Sequence, residues 1–138
     1  MILVDTSVWV DHLRGGDQQL AELLDLGLVL AHPFVVGELA LGRFRQREII
    51  LEALLQLPRT VVATDGEVLA FISRQKLFGR GIGYVDVHLL AAVRLTTGSQ
   101  LWTRDRHLLE TARGSGLAFG RRRLGLRRRT RTDRSGLE

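Results

Sequence analysis

Four acidic residues, Asp5, Glu38, Asp86 and Asp105, stand among neighbours that would not ordinarily surround a charge. Asp5 follows the apolar run Ile2, Leu3, Val4, which reads as a short buried strand feeding a helix. The strand would deliver Asp5 at its carboxyl end, the edge of an open α/β sheet where ligands collect. On a helix, positions three, four and seven apart share a side. By that rule Glu38 has Phe34 and Val35 behind it and Leu41 and Gly42 ahead, Asp86 has Leu89, Leu90 and Val93 ahead, and Asp105 has Leu108, Leu109 and Ala112 ahead. Each is expected to point towards packing side chains rather than plain solvent. Glu22 and Glu52, beside polar residues, read as ordinary solvated acids.

One carboxylate at such a boundary is commonly a helix cap or a partner of the helix dipole, and that reading stays open for Asp5 and Asp105. Four that converge cannot all ionise unaided, because close like charges and burial both raise a carboxylate pKa. Lys76, the only lysine, falls in mid-helix, and no arginine is obviously placed among the four. A divalent metal is the economical counter-charge. Oxygen-only ligation in a chain without cysteine favours Mg²⁺ or Mn²⁺ over Zn²⁺, and Mg²⁺ typically takes one or two protein carboxylates with water and phosphate completing its shell. Such a centre suits phosphodiester hydrolysis, with the remaining carboxylates orienting the attacking water or accepting its proton. Thr6 and Ser7, beside Asp5, either support this chemistry or cap the first helix.

The elements that must position these acids alternate. Strands are expected at Ile2 to Val4, Leu28 to Ala31, Thr60 to Ala63 and Leu101 to Thr103, with a possible edge strand at Leu117 to Phe119. Helical patterns fall between them: Ser7 to Arg14, a segment from Asp17, Pro33 to Phe44, Gln46 to Leu57, a capping-box helix from Thr64 to Phe78, Val85 to Thr97, and Asp105 to Arg113. Alternation of this kind implies a three-layer α/β/α sandwich around a mainly parallel sheet of four or five strands.

Composition bounds the rest. The 138 residues suffice for one core, and nearly half are hydrophobic, which argues against disorder. The absence of cysteine excludes disulfides, thiolate metal sites and cysteine nucleophiles. No run is apolar enough to cross a membrane and no leader precedes the first strand, so a soluble cytoplasmic protein is expected. The net charge of +5 is uneven: from Gly120 onward eight arginines face only Asp133 and Glu138, giving that stretch +6 and leaving the body near −1. The division is therefore a body of residues 1–119 and an arginine-rich tail of residues 120–138, read as solvated or as a sequence-blind phosphate contact.

The segments DTSVWVDHLR, VVGELALG, GIGYVDVHLLAAV and LWTRDRHLL, in this order and spacing, resemble the PIN-domain ribonucleases, most closely the VapC-type toxins of bacterial toxin–antitoxin pairs. The resemblance spans the body. It implies a PIN-like fold in which Asp5, Glu38, Asp86 and Asp105 form an acidic Mg²⁺ site, with Asp5 and Asp86 as the usual ligands and Thr6 or Ser7 in support. It further implies cleavage of RNA, neutralisation by a small VapB-type antitoxin, and a homodimer. The tail has no counterpart in that pattern.

Other readings are weaker. The glycines at 79, 81 and 83 lack the lysine and hydroxyl of a phosphate-binding loop, and a phospho-aspartate enzyme would want an acid where Ser7 stands. His12, His32, His88 and His107 show no ligand spacing and read as surface or boundary residues. Trp9, Phe71 and Trp102 read as core rather than base-stacking platforms. The alternative from another class is a PIN-like module that binds RNA or protein without cutting.

Overall fold

The computed structural model describes residues 1–120; the arginine-rich segment expected at the carboxyl end lies, from residue 121, outside the described residues. Strand β1 (Ile2–Val4) is buried along its whole length. That burial matches a run with no polar side chain, since a central parallel strand is covered on both faces. It pairs in parallel with β2 (Val29–Leu30) on one side and β3 (Gln100–Trp102) on the other. Helices α1 (Thr6–Gly15) and α2 (Gln18–Asp25) connect β1 to β2. Four more, α3 (Pro33–Ala40), α4 (Arg47–Leu55), α5 (Asp65–Gln75) and α6 (Tyr84–Leu95), lead to β3, and α7 (Arg106–Gly114) follows it.

Among the described residues the sheet has three strands rather than the expected four or five. The two missing strands survive as single parallel bridges, Ala31 with Arg59 and Leu101 with Ala118. The cause at the first is the brevity of β2: the chain turns into α3 at His32, so the segment from Thr60 finds little edge to pair with. Val61 donates instead to the Thr96 hydroxyl at 2.9 Å, and Val61 and Val62 remain exposed. The lateral order is thus Arg59, β2, β1, β3, Ala118. Right-handed crossovers along that order put α1 to α4 on one face and α5 and α6 on the other. The packing agrees, with α1 on α3, α3 on α4, α5 on α6, and α6 against β3.

Most helices end earlier than the sequence pattern suggests. Helix α3 stops at Ala40 rather than Phe44, and α5 stops at Gln75, so that Lys76 is its left-handed cap (φ 54°) and not a mid-helix residue. Helix α6 is the central one: every residue from Val87 to Val93 is buried. Leu3, Val4, Val8, Leu20, Leu89, Ala92, Leu101 and Leu108, all wholly inaccessible, join strands and helices into one core. Truncating any one of these leucines to alanine would cost about 2–5 kcal/mol.

Two histidines depart from the surface role expected of them. His32 and His88 are 0% and 2% exposed and their rings lie 6.4 Å apart, with Phe34 against both. His32 caps α3, its Nδ1 accepting from the Phe34 amide at 3.0 Å, while Pro33 occupies the first turn without losing a hydrogen bond. A cap of this kind needs an unprotonated Nδ1. Burial, followed by the charges of His88 and Arg59, pulls the His32 pKa down to about 4 from 6.5. Between those two values the unfolded chain takes up a proton that the folded chain refuses. Stability should therefore be full above pH 6.5 and fall as the pH drops towards 4. The His32→Asn variant, which keeps an acceptor for the cap, should be less stable at neutral pH but flatter across this window in urea midpoints; an unchanged slope would remove His32 as the cause.

Candidate active site

The carboxyl edge of the sheet assembles the site. Val4 sits in register with Trp102, and the Asp5 amide donates to the Trp102 carbonyl at 2.9 Å, so the next residues of the two strands, Asp5 and Thr103, emerge side by side. Asp5 is 6% exposed and every contact of its carboxylate is to this edge. Its Oδ1 accepts from the Thr6 amide at 2.7 Å. Its Oδ2 accepts from the Ser7 hydroxyl at 2.9 Å and from the Thr103 hydroxyl at 2.7 Å. Asp5 is thus the cap of α1, as one reading allowed, and also the hub of a hydroxyl network.

The network reaches two of the other acids. Thr6 Oγ1 donates to Glu38 Oε1 at 2.6 Å, tying α1 to α3. Thr103 Oγ1 accepts from the Asp105 amide at 3.1 Å, and Asp105 Oδ1 in turn accepts from the Leu108 amide at 2.9 Å as the cap of α7. Thr6 and Ser7 are accordingly not helix caps; their hydroxyls serve the carboxylates. Asp86, in the first turn of α6, reaches back to accept from the Gly83 amide at 3.2 Å. Its carboxyl is pushed above the ordinary aspartate value, first by burial and then by the negative charges of Asp5, Asp105 and Glu38, against the opposing pull of the Gly83 amide. All four acids therefore share one electrostatic neighbourhood.

Their surroundings differ from the sequence expectation in one respect. Asp5 is buried and Asp86 partly so, but Glu38 and Asp105 are exposed. Leu108 and Ala112 are buried beneath Asp105 and Val35 beneath Glu38, but Leu41, expected to pack beside Glu38, is 90% exposed because α3 has already ended at Ala40. Among the described residues no arginine pairs with the group. Arg104, between Thr103 and Asp105, turns away: its guanidinium pairs with Asp11 and, at 2.6 Å, with Asp17, while its amide donates to Ser7 Oγ at 3.1 Å. The amide of Leu20, more than Arg104, keeps the Asp17 carboxyl below its ordinary value.

Among the described residues no three acidic or histidine side chains are grouped tightly enough to hold one ion between them. The donor set is nevertheless all oxygen: four carboxylates and the hydroxyls of Thr6, Ser7 and Thr103. Such a set fits a hard cation that touches one or two carboxylates and keeps its waters, and does not fit a cage of three or more direct protein ligands. Thr103 and Arg104 are the residues that sequence reasoning missed. A hydroxyl directly after an apolar strand, in a chain whose first strand also ends in a polar residue, was the available signal for Thr103.

The PIN domain family model matches residues 2–114. Ribonuclease VapC32 of Mycobacterium tuberculosis, in each of two strains, is 48% identical to this chain over 119 residues, 86% of this chain and 96% of the relative. Among solved structures, FitAcB from Neisseria gonorrhoeae aligns with a TM-score of 0.56 at 24% identity, covering 82% of this chain and 94% of that one. FitAB bound to a DNA fragment aligns with a TM-score of 0.53 at 22% identity, covering 82% and 91%. At those identities the likeness is one of fold. With a family model over most of its length and close relatives over nearly all of theirs, the chain belongs to the PIN-domain family, among its VapC-type members.

Proposed function

We propose that this chain is the toxin of a type II toxin–antitoxin pair, a metal-dependent endoribonuclease that hydrolyses RNA phosphodiester bonds with a carboxylate-held Mg²⁺, for which Mn²⁺ can substitute. The observation that carries this reading is that acids from four separate elements, the end of β1, the second half of α3 and the starts of α6 and α7, face one edge with no cationic side chain paired to them among the described residues. The 48% identity to a ribonuclease supports the choice of RNA.

In this reading Asp5 and Asp86 are the metal ligands, with Glu38 and Asp105 alongside. When bound, Mg²⁺ supplies charge stabilisation at the phosphate and a more acidic water. Asp5 contributes orientation: three donors fix its carboxylate, so it spends little entropy on being held in place. Glu38, anchored through one oxygen on Thr6, keeps the other available to orient a water or take its proton. Asp105 is held by the α7 amide and by Thr103 at the same edge. The partners proposed are an RNA substrate, a VapB-type antitoxin and a second copy of the chain in a homodimer, with the cytoplasm as the location. No helix among the described residues is long and apolar enough to cross a membrane.

Purified protein freed of any partner should cleave RNA in Mg²⁺ and stop when chelator is added. Asp5→Asn and Asp86→Asn should each lower the cleavage rate by roughly 100-fold or more, with the circular dichroism unchanged. Variants that cut normally would refute the metal assignment, and a wild-type protein that binds RNA but never cuts it would favour the non-cutting module. A second consequence is thermodynamic. In chelator, Asp86→Asn removes one of the repelling charges while keeping an acceptor for Gly83, so its Tm should rise by on the order of 3 °C. Added Mg²⁺ should raise the Tm of the wild type and leave that of the variant unmoved; a variant less stable than wild type in chelator would show that repulsion is not the dominant strain.

A further inference from the structure

Next to the acidic edge lies a cleft of about 690 Å³ that the hydrolysis described above does not use. The two share Thr103, which lines the cleft and donates to Asp5. Its apolar side is built from Trp102 and Phe119, whose rings lie 5.3 Å apart at 51°, with Leu109 beside them. Both rings are partly exposed, whereas Trp9 and Phe71 are buried at 4% and 5%. Trp102 packs against the core, as its strand pattern suggested, but leaves part of its ring open to the cleft.

Two arginines flank this aromatic side. Arg104 stands 5.7 Å from the centre of the Trp102 ring, and its charge is already met by Asp11 and Asp17, so it serves to stiffen the wall. Arg113 is exposed and takes part in none of the ion pairs formed among the described residues. The cleft therefore combines two partly exposed aromatic rings with a cation that no acid among the described residues pairs, a short step from the carboxylates.

We propose that this cleft holds one nucleotide of single-stranded RNA beside the bond to be cut, its base packed against the exposed side of the Trp102–Phe119 pair and its phosphate on Arg113. The proposal rests on the ribonuclease reading for the identity of the ligand and adds a binding site to it. Stacking of this type accepts any base, because every base offers a π-face. A duplex cannot use it, since its bases stay stacked on one another. The site therefore gives affinity and a preference for unpaired RNA, without a sequence code.

The chain has two tryptophans, so a full-length protein carrying Trp9→Phe reports from Trp102 alone. The probe is a fluorescein-labelled 2′-O-methyl hexaribonucleotide, titrated in chelator, which withholds the metal that cleavage needs, while indole emission and label anisotropy are followed. Binding should quench Trp102, and a hairpin duplex should leave its emission unchanged. Phe119→Leu should weaken the single strand roughly 5- to 100-fold. Arg113→Gln, on the exposed face of α7, should lower the slope of log affinity against log salt by about 0.7. The residues beyond 120 are the same in every variant, so their contribution to affinity cancels. If Trp9→Phe does not fold, anisotropy with Phe119→Leu and Arg113→Gln in the otherwise native chain decides the matter. Binding without a change in Trp102 emission, equal quenching by the duplex, or affinities untouched by both variants would overturn the site, as would quenching by an acidic peptide where RNA gives none. If the hexamer binds as described and RNA is never cleaved, the hydrolytic reading falls and the site stands; Asp5-dependent cleavage with a silent Trp102 does the reverse.

Discussion

Repulsion among Asp5, Glu38, Asp86 and Asp105 is the constraint on which the carboxyl edge of this sheet depends. A fold selected for stability alone would not set these acids at one edge without a cation, since burial and the charges of the other three raise the cost of ionising Asp86. The chain limits that cost in two ways. Asp5, the buried one, receives three hydrogen bonds, so its carboxylate oxygens are not left without partners where water cannot reach them. Glu38 and Asp105 stay exposed, where solvent screens them. Asp86 has neither full hydration nor a set of donors, and it is the acid whose carboxyl is displaced upward. Strain kept at a reactive centre and offset by a well-packed core is a common division of labour. Here the core beneath is anchored by α6, the same helix that carries Asp86.

Hydroxyls fix two of the acids, Asp5 and Glu38, while backbone amides hold Asp86 and Asp105. Thr6, Ser7 and Thr103 are neutral donors, so they can bridge carboxylates without cancelling the negative field that would attract a cation. An arginine in their place would have satisfied the same oxygens and abolished the field. The one arginine in the loop, Arg104, is drawn off by Asp11 and Asp17, which leaves its backbone amide to fasten Ser7. Those two acids therefore matter to the centre although neither touches it.

Much of this was legible in the sequence, and the reasons for the rest are physical. The four acids declared themselves because a charge at a strand end or on an apolar helical stripe conflicts with local pattern. Parallel alternation was equally plain from the short apolar runs between helices. Strand count was not, because a segment such as residues 60–63 has β-forming residues whether or not a neighbouring edge remains to pair with it. The burial of His32 and His88 was hidden because a histidine on an apolar face looks alike whether it lies at the rim or inside. Thr103 and Arg104 act through register between β1 and β3, a relation between distant stretches that periodicity does not encode.

That register has a temporal corollary. Asp5 and Thr103 are 98 positions apart, and β1, the first strand of the described chain, lies between the second strand and the last. A ribosome delivers the amino end first, so β1 must wait for β3 before its inner edge is complete. Contacts of such long sequence separation form late and slowly. The acidic edge therefore cannot mature on a nascent or prematurely ended polypeptide, and the cell meets a finished molecule only after translation has passed nearly every codon of the folded body.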